Sequence, residues 1–260
     1  MQRRHLIELH EQSWFPPQAR EMFQRGLGTV QSALGAYDGA VPKVAELLRR
    51  TGARQVLDLC SGSAEVVVAM AERLRRDEGL EVSVRLSDLY PDRDEMERLK
   101  RRHPDLIDYV DRPVDAIRPP ASPDAIRTLF ASLHHFRPDD VRRSLTAAAD
   151  DAAGIAVFES TGRTWPHMAQ MLPLPIVAAL VCGLTLRPWH PRHLFWTFGL
   201  PLVPLAAVWD GVVSNLRTYT VDELRAITAS IDRPGVAWEV GTLAMPRTTV
   251  RATYVLGWRR

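Results

Sequence analysis

The chain has 260 residues, of which 46% are hydrophobic and 25% charged, so it is long enough to bury a sizeable core and is not intrinsically disordered. Its formal net charge is only +2, with basic and acidic residues interspersed, which argues against a nucleic-acid partner. The two cysteines, Cys60 and Cys182, lie far apart. We therefore expect no disulfide framework and no metal site, and a reducing cytoplasm is the favoured location.

Residues 1–50 are predicted to form an N-terminal helical cap, followed by one main domain over residues 51–260. Charges interrupt every apolar run near the N-terminus, so no signal-peptide core is expected there. The stretch Trp14-Phe15-Pro16-Pro17 breaks the cap, because paired prolines remove backbone donors. Further helices are predicted at about residues 18–36 and 41–50.

The first strand and the turn after it have the composition of a ligand-binding edge. Val56, Leu57 and Leu59 form a short apolar run, Ser61-Gly62-Ser63-Ala64 interrupts it, and helical composition resumes at Glu65. Small residues let a backbone approach a ligand closely, and the free N–H groups at a helix start bind polar groups. A second strand, residues 82–88, ends at Asp88, whose carboxylate is suited to accept hydrogen bonds from both hydroxyls of a ribose.

The middle of the chain continues the alternation of strands and helices. A charged helix (93–103), a weak strand (106–110), a fourth strand (125–132), a helix (141–149) and a fifth strand (154–161) follow in order. Asp139 or Asp140 is predicted to cap the helix. This pattern predicts a parallel, doubly wound α/β sheet.

Residues 165–215 form a strongly apolar insertion. Its two apolar runs are each about sixteen residues long, shorter than a bilayer span, and both contain prolines. We favour a helical lid over an apolar pocket, because soluble domains rarely leave large apolar patches open. A membrane-surface contact, with peripheral membrane association, and a homodimer interface remain as alternatives.

The insertion ends in a cluster of polar residues. Asp210 is a candidate base, and Arg217 and Tyr219 are candidates for orienting one polar group of an apolar substrate; helix-terminal salt bridging is the alternative. Thr220 and Glu223 match a capping box. Two strands, residues 236–243 and 249–258, complete the chain.

Three stretches together resemble class I S-adenosylmethionine-dependent methyltransferases. Asp58 and Gly62 match the first signature of that family, although Cys60 and Ala64 replace two of its glycines. Asp88 matches the second signature, and Leu133-His134-His135-Phe136 with the following Pro138-Asp139 is similar to the turn after the fourth strand. The resemblance covers about residues 40–160 and 218–258.

This resemblance implies a Rossmann-like, mostly parallel seven-stranded sheet with an antiparallel last strand, here with the helical cap and the apolar insertion added. It implies S-adenosylmethionine as the cofactor. The implied cofactor-binding residues are Asp58, Cys60, Ser61, Gly62, Asp88, Leu89, Asp115 and Ser132. His134 and His135 are candidate catalytic residues, with a purely pocket-shaping role as the alternative. Trp14 and Tyr37 are candidates for facing substrate, with core packing as the alternative.

The activity implied is methyl transfer from S-adenosylmethionine, and the apolar composition of the insertion predicts a small, hydrophobic acceptor. Two alternatives stay open: a different use of the same cofactor, such as cyclisation or elimination, and a non-catalytic binding or membrane-surface module on the same fold.

Overall fold

The computed structural model describes residues 1–171, 173–186 and 189–260; Leu172, Arg187 and Pro188 of the insertion lie outside this range. Seven strands form one sheet: β1 (Gln55–Leu59), β2 (Ser83–Ser87), β3 (Ile107–Tyr109), β4 (Ser122–Phe130), β5 (Ala152–Glu159), β6 (Val236–Ala244) and β7 (Arg251–Arg259). Their spatial order is β3-β2-β1-β4-β5-β7-β6. Strands β1 to β5 are parallel, and β7 is antiparallel to both neighbours, as predicted.

Helices cover both faces of the sheet because its central strands are apolar on both sides. In chain order they are α1 (Pro17–Ala33), α2 (Ala40–Thr51), α3 (Glu65–Glu78), α4 (Arg93–Arg102), α5 (Pro138–Asp151), α6 (Trp165–Gln170), α7 (Pro173–Thr185), α8 (Pro191–Leu194), α9 (Leu202–Arg217) and α10 (Val221–Ala229). One buried apolar cluster joins α2, α3 and α4 to the sheet, and a second joins α5 and α10 to its other face.

The register brings the ends of three strands to one level. Leu59, the last residue of β1, pairs with Ser87 of β2 and Leu129 of β4. Residues that follow these strands therefore meet at the carboxyl edge of the sheet, where open α/β folds bind ligands.

The prediction of a helix in the first sixteen residues is wrong. Helix α1 begins at Pro17, as the paired prolines predicted, but residues 1–16 contain only turns and extended chain. The backbone N–H groups of Leu9 and His10 donate to the carboxylate of Asp210 on α9, and Arg4 N donates to Leu216 O. These partners replace the hydrogen bonds that a helix would supply.

The predicted cap of α5 is also wrong, whereas that of α10 is confirmed. Helix α5 begins at Pro138, whose missing N–H is tolerated at the first helical position, and no side chain caps it. Asp139 and Asp140 lie in its first turn. In α10, Thr220 and Glu223 form both hydrogen bonds of the capping box.

The insertion forms α6 to α9, with a single π-helical turn, Phe195–Gly199, between α8 and α9. Helices α7 and α9 pack with α1 around a third apolar cluster, which includes Phe15, Met22, Cys182 and Val203.

The stretch Trp165–Thr185 is long and apolar enough to cross a membrane, with a mean hydropathy of 1.8 over its most apolar window. The pair Pro191–Gly199 and Leu202–Arg217 passes the same test together but is bent by 65°.

Candidate functional site

The turn after β1 is held by hydrogen bonds from Asp58. This buried carboxylate accepts from Thr128 Oγ1 on β4 at 2.6 Å and from Ser61 Oγ at 2.7 Å. Its backbone carbonyl accepts from Ser87 Oγ on β2 at 2.7 Å. Burial raises the pKa of Asp58 to about 7, although the two hydroxyl donors oppose this shift. Asp58 thus ties together the three strands that form the crevice.

Asp88 connects the end of β2 to the same turn. Its carboxylate accepts from Gly62 N at 3.0 Å and from Tyr90 N at 2.9 Å. A carboxylate has about four acceptor positions, so two remain for hydroxyl groups of a ligand. A Cβ atom added to Gly62 would meet no atom within 4 Å, which shows that the space beside this turn is open. Leu89 follows Asp88 and is exposed.

Cys60 and Ala64 replace glycines in the sequence but keep a backbone conformation that favours glycine. Their φ angles are 57° and 56°, and Gly62 between them has φ 51°. Residues with a Cβ atom adopt this left-handed region at a cost of roughly 1–2 kcal/mol. The loop therefore has its expected shape, with strain at the two substituted positions.

The remaining predicted cofactor residues lie around the same crevice. Burial, and then the carboxylates of Asp88, Asp58 and Asp115, raise the pKa of the Cys60 thiol, so it is a neutral thiol. Asp115 is exposed, and its Oδ1 accepts from Ile117 N. Ser132 is buried, and its hydroxyl makes no close hydrogen bond among the described residues, although it lies near enough to the Cys60 thiol to oppose the rise of that pKa. A buried hydroxyl with only a weak sulfur partner fits a site that binds a polar ligand.

A cavity of about 210 Å³ lies beneath the insertion. It reaches the carboxyl edge of the sheet at Ala131, next to the crevice residue Ser132, and at Ser160, which follows β5. Its walls are apolar and come from α1, α7 and α9, including Phe23, Leu27, Ala178, Cys182, Val203 and Ala207. Six acidic or imidazole side chains also line it: Glu8, His10, His134, His135, His167 and Asp210. A mostly apolar cavity with a few polar groups is the composition of a small-molecule site.

His134 is oriented by a buried carboxylate. Its Nδ1 lies 2.7 Å from Glu159 Oε2, and Glu159 Oε1 accepts from Leu133 N at 2.6 Å. Burial alone would raise the pKa of Glu159, but His134 reverses this effect and the pKa is lowered. Because Nδ1 donates its proton to a carboxylate, Nε2 is the nitrogen that can accept a hydrogen bond. Nε2 lies 3.8 Å from Glu8 Oε1.

The N-terminal segment, residues 3–11, covers this histidine. Glu8 is buried and pairs with Arg217 at 3.1 Å, and its Oε1 also accepts from Ser214 Oγ. Burial raises the pKa of Glu8. Glu11 also pairs with Arg217 at 3.1 Å and lies 2.7 Å from His135 Nδ1.

His135 and Asp210 are less available for proton transfer than His134. Burial and the neighbouring His134 lower the pKa of His135, and its Nδ1 is already bonded to Glu11. Asp210 lines the cavity, but its oxygens accept from Leu9 N, His10 N and His10 Nδ1. Its hydrogen bonds hold the N-terminal segment in place.

The structure does not bring the four candidate substrate-binding residues to the cavity. Trp14 is 62% exposed and lies outside it. Tyr37 is buried, donates to Ser160 Oγ at 2.9 Å and packs edge-on against Phe130, as in the core-packing alternative. The guanidinium of Arg217 is bound by Glu8, Glu11 and Leu6 O, and Tyr219 donates to Phe136 O. For Arg217 the salt-bridging alternative therefore describes the observed contacts.

Glu8, His134 and His135 also offer three metal-ligand atoms within 4.8 Å of one another. Arg217 lies 3.1 Å from Glu8 and 3.2 Å from His135 Nδ1, so a positive charge already occupies this position. A metal ion would have to displace that guanidinium.

Several residues in or beside the cavity were missed by sequence reasoning. Glu159 had a usable signal, because it ends a buried strand at the ligand-binding edge. Glu8 and His10 had none, since only the path of the N-terminal segment brings them to the site. His167, on α6, also lines the cavity; its Nδ1 lies 2.7 Å from Thr164 Oγ1, and its buried Nε2 has no partner among the described residues.

No family model matches the sequence, and no curated protein is significantly similar to it. Solved structures do share the fold. The mitomycin 7-O-methyltransferase MmcR matches with 19% identity and a TM-score of 0.55, over 97% of this chain and 59% of its own. This chain therefore spans less than two thirds of the length of MmcR.

Two other similar structures are matched over nearly their whole length. The plantazolicin methyltransferase BamL, solved with S-adenosylhomocysteine (SAH), has a TM-score of 0.57 and 9% identity, over 95% of this chain and 92% of its own. The magnesium protoporphyrin IX methyltransferase ChlM from Synechocystis PCC 6803, also with bound SAH, has a TM-score of 0.54 and 11% identity, over 95% and 96%. Together with the strand order, these likenesses show that the chain has the fold of the class I S-adenosylmethionine-dependent methyltransferases.

Proposed function

We propose that the protein is an S-adenosylmethionine-dependent methyltransferase that acts on a small, lipophilic acceptor bearing an O–H or N–H group. The observation that carries this proposal is the position of His134. Its ring is fixed by Glu159 on one side, and it lies in an apolar cavity that borders the crevice between Gly62 and Asp88. The crevice and the cavity provide places for two reactants side by side.

The crevice has the groups that S-adenosylmethionine requires. Asp88 has free acceptor positions for the ribose hydroxyls, Ser132 offers a buried hydroxyl whose nearest partner is a thiol, and the turn at Gly62 leaves open space for the methionyl part. When bound, this cofactor would supply an electrophilic methyl group from its sulfonium, and the rest of the cofactor would leave as the neutral thioether SAH. We assign Asp115, whose charge acts on the Cys60 thiol of the crevice, to the adenine base.

In this proposal His134 receives the proton of the acceptor. Nε2 takes the proton from the acceptor O–H or N–H as that atom forms its new bond to the methyl carbon. The imidazolium that results is stabilised by Glu159 at 2.7 Å and by Glu8 at 3.8 Å. Glu159 acts here as a positioning residue, since it orients the ring without touching the acceptor.

The cavity walls limit the acceptor to a mostly apolar molecule and place it close to the methyl group. Holding the two reactants in contact in a site without water supplies most of the rate enhancement, because the sulfonium is already a good leaving group. The buried Nε2 of His167, which makes no close hydrogen bond among the described residues, provides a polar contact in the cavity. This group suits an acceptor with a second polar substituent.

The test is turnover with radiolabelled S-adenosylmethionine and a panel of lipophilic phenols and amines. We expect label in an organic-extractable product and stoichiometric SAH. Methylthioadenosine in place of SAH would instead indicate elimination or cyclisation. No turnover with any acceptor, despite tight cofactor binding, would contradict the proposal.

The role of His134 is tested with His134→Gln once an acceptor is known. We expect kcat to fall by about 10²–10⁴-fold, with the affinity for SAH unchanged. Glu159→Gln should lower kcat less and shift the lower limb of its pH profile. His103→Gln, at the end of α4 and away from the cavity, is the matched control and should leave kcat unchanged.

A further inference from the structure

The insertion carries an apolar face that no part of the described chain covers. On α7 the exposed residues Val177, Val181 and Leu184 follow one another at helical spacing and are 51–56% exposed. Phe195 and Phe198 of the π-helical turn and Leu205 of α9 are 51–62% exposed. Only 18% of the most apolar window in Trp165–Thr185 is buried. A core helix of a soluble protein would be mostly buried, so this face requires an apolar partner.

The opposite side of the same helices is fixed to the domain. Cys182 of α7 packs against Gly26 of α1, where an added Cβ would lie 3.4 Å from the Cys182 sulfur. The carboxyl half of α9 contains buried Asp210, Asn215 and Arg217, all with polar partners inside the protein. These helices therefore lie flat on the domain with one side free, which excludes a spanning arrangement for α9 and fits a helix in the plane of a surface.

The charges and indole rings of the insertion suit an anionic lipid surface. Between Glu159 and Asp210 the sequence has no Asp or Glu, and its arginines are Arg163, Arg187 and Arg192; Arg163 is buried in an ion pair with Glu223 and takes no part in a surface contact. Arg192 is exposed and shares Glu21 of α1. Four exposed tryptophans occur in the insertion and the segment that adjoins it: Trp14, Trp165, Trp189 and Trp209. Tryptophan and arginine are the residues that lie at the headgroup level of a bilayer.

We propose that the exposed face of α7, the Phe195–Gly199 turn and α9 docks on an anionic lipid bilayer as a peripheral contact. The cavity lies directly beneath these helices, because Ala178 and Cys182 of α7 and Val203 and Ala207 of α9 line it from the other side. Docking would place the cavity at the level of the lipid headgroups. A lipophilic acceptor would then enter from the bilayer without crossing water. The entry of an acceptor from the bilayer rests on the proposed function, whereas docking itself does not.

The test is flotation of the full chain with vesicles, which is independent of activity. The vesicles are phosphatidylcholine alone or phosphatidylcholine with 30% phosphatidylglycerol, at low and high salt. We expect binding to the anionic vesicles that weakens with salt. The variant Val177→Glu/Val181→Glu, on an exposed face, should keep the melting temperature but lower binding at least tenfold. The matched control is Ala226→Glu on exposed α10, which should bind like the wild type.

Arg192→Gln separates the charge from the apolar face. It should weaken binding to anionic vesicles about fivefold, the factor that corresponds to about 1 kcal/mol per arginine, and leave neutral vesicles unaffected. Failure to float with anionic vesicles would overturn the proposal, as would equal flotation of the double-glutamate variant. A stable dimer in lipid-free solution that the same double substitution dissociates, without vesicle binding, would assign this face to a second copy instead. Loss of turnover with intact flotation would leave the docking proposal standing and count against the proposed function alone.

Discussion

At Cys60 and Ala64 the backbone adopts the left-handed conformation of the glycines that are absent, so the two side chains add strain. We expect Ala64→Gly to leave stability unchanged or raise it by up to about 1 kcal/mol, although glycine usually destabilises helices. Urea unfolding measures this difference. Ala226→Gly in exposed α10 is the control and should cost about 1 kcal/mol. An equal loss in both variants would show that the turn is not strained.

Asp58 provides a second test at the same turn. Burial raises its pKa to about 7, so near neutral pH it is partly protonated before any ligand binds. A cationic sulfonium favours the ionised carboxylate, so binding should lower the pKa and release about half a proton at pH 7. Below pH 7 the affinity for S-adenosylmethionine should therefore fall by up to about tenfold per pH unit, and above about pH 8 it should be constant.

Calorimetry in two buffers of different ionisation enthalpy measures the proton release directly. Asp58→Asn should remove both the proton release and the pH dependence. Binding that is independent of pH between 5.5 and 8 in the wild type would show that Asp58 is not linked to the cofactor.

Most of the crevice could be predicted at the level of single residues, because Asp58 lies near the end of an apolar strand and Gly62 and Asp88 follow strands at the spacing that the fold requires. The residues of the cavity could not be predicted in this way. Arg217 and Tyr219 have the chemistry of substrate contacts, but their partners are Glu8, Glu11 and Phe136 O, which lie far away in the sequence. Sequence spacing gives no information about such partners.

Among the elements, the N-terminal segment depends on the ion pair between Glu8 and Arg217. Both side chains are almost fully buried. Removing the cation leaves a buried carboxylate, which burial already disfavours in its charged form. We expect Arg217→Met to destabilise the protein by about 3–5 kcal/mol and to expose residues 1–16 to proteolysis.

The double variant Glu8→Gln/Arg217→Met should recover part of that loss, because no unpaired charge remains. Arg225→Met, which changes an exposed arginine of α10, should cost less than about 0.5 kcal/mol. Equal urea midpoints for Arg217→Met and Arg225→Met would show that the segment does not rely on this pair.

The helices and strands of the sheet were predictable because their apolar patterns are local. The N-terminal segment was not, because its extended path depends on side chains of α9, among them Asp210, which satisfies the N–H groups of Leu9 and His10. Phe15 and the paired prolines marked where the helix begins, but no local pattern indicates a segment whose partners are some 200 residues away.

For the molecule as a whole, the alternation of five strands with helices predicted a parallel, doubly wound sheet, and the polar ends of β1, β2 and β4 predicted where a ligand binds. The exposed face of the insertion was harder to interpret, since an apolar sequence is equally consistent with a lid, a dimer interface and a membrane contact. In the structure one side of these helices lines the cavity and the opposite side is exposed.

Calorimetric titration with SAH of the wild type and of two crevice variants tests the central claim most directly. We expect one site per chain in the wild type, at least tenfold weaker binding for Asp88→Ala, and no binding for Gly62→Leu, whose side chain would fill the open space beside the turn. The control Gly79→Leu, at another left-handed glycine remote from the crevice, should bind as the wild type if it remains folded. No heat from the wild type at millimolar ligand, or binding unaffected by both crevice substitutions, would contradict the account.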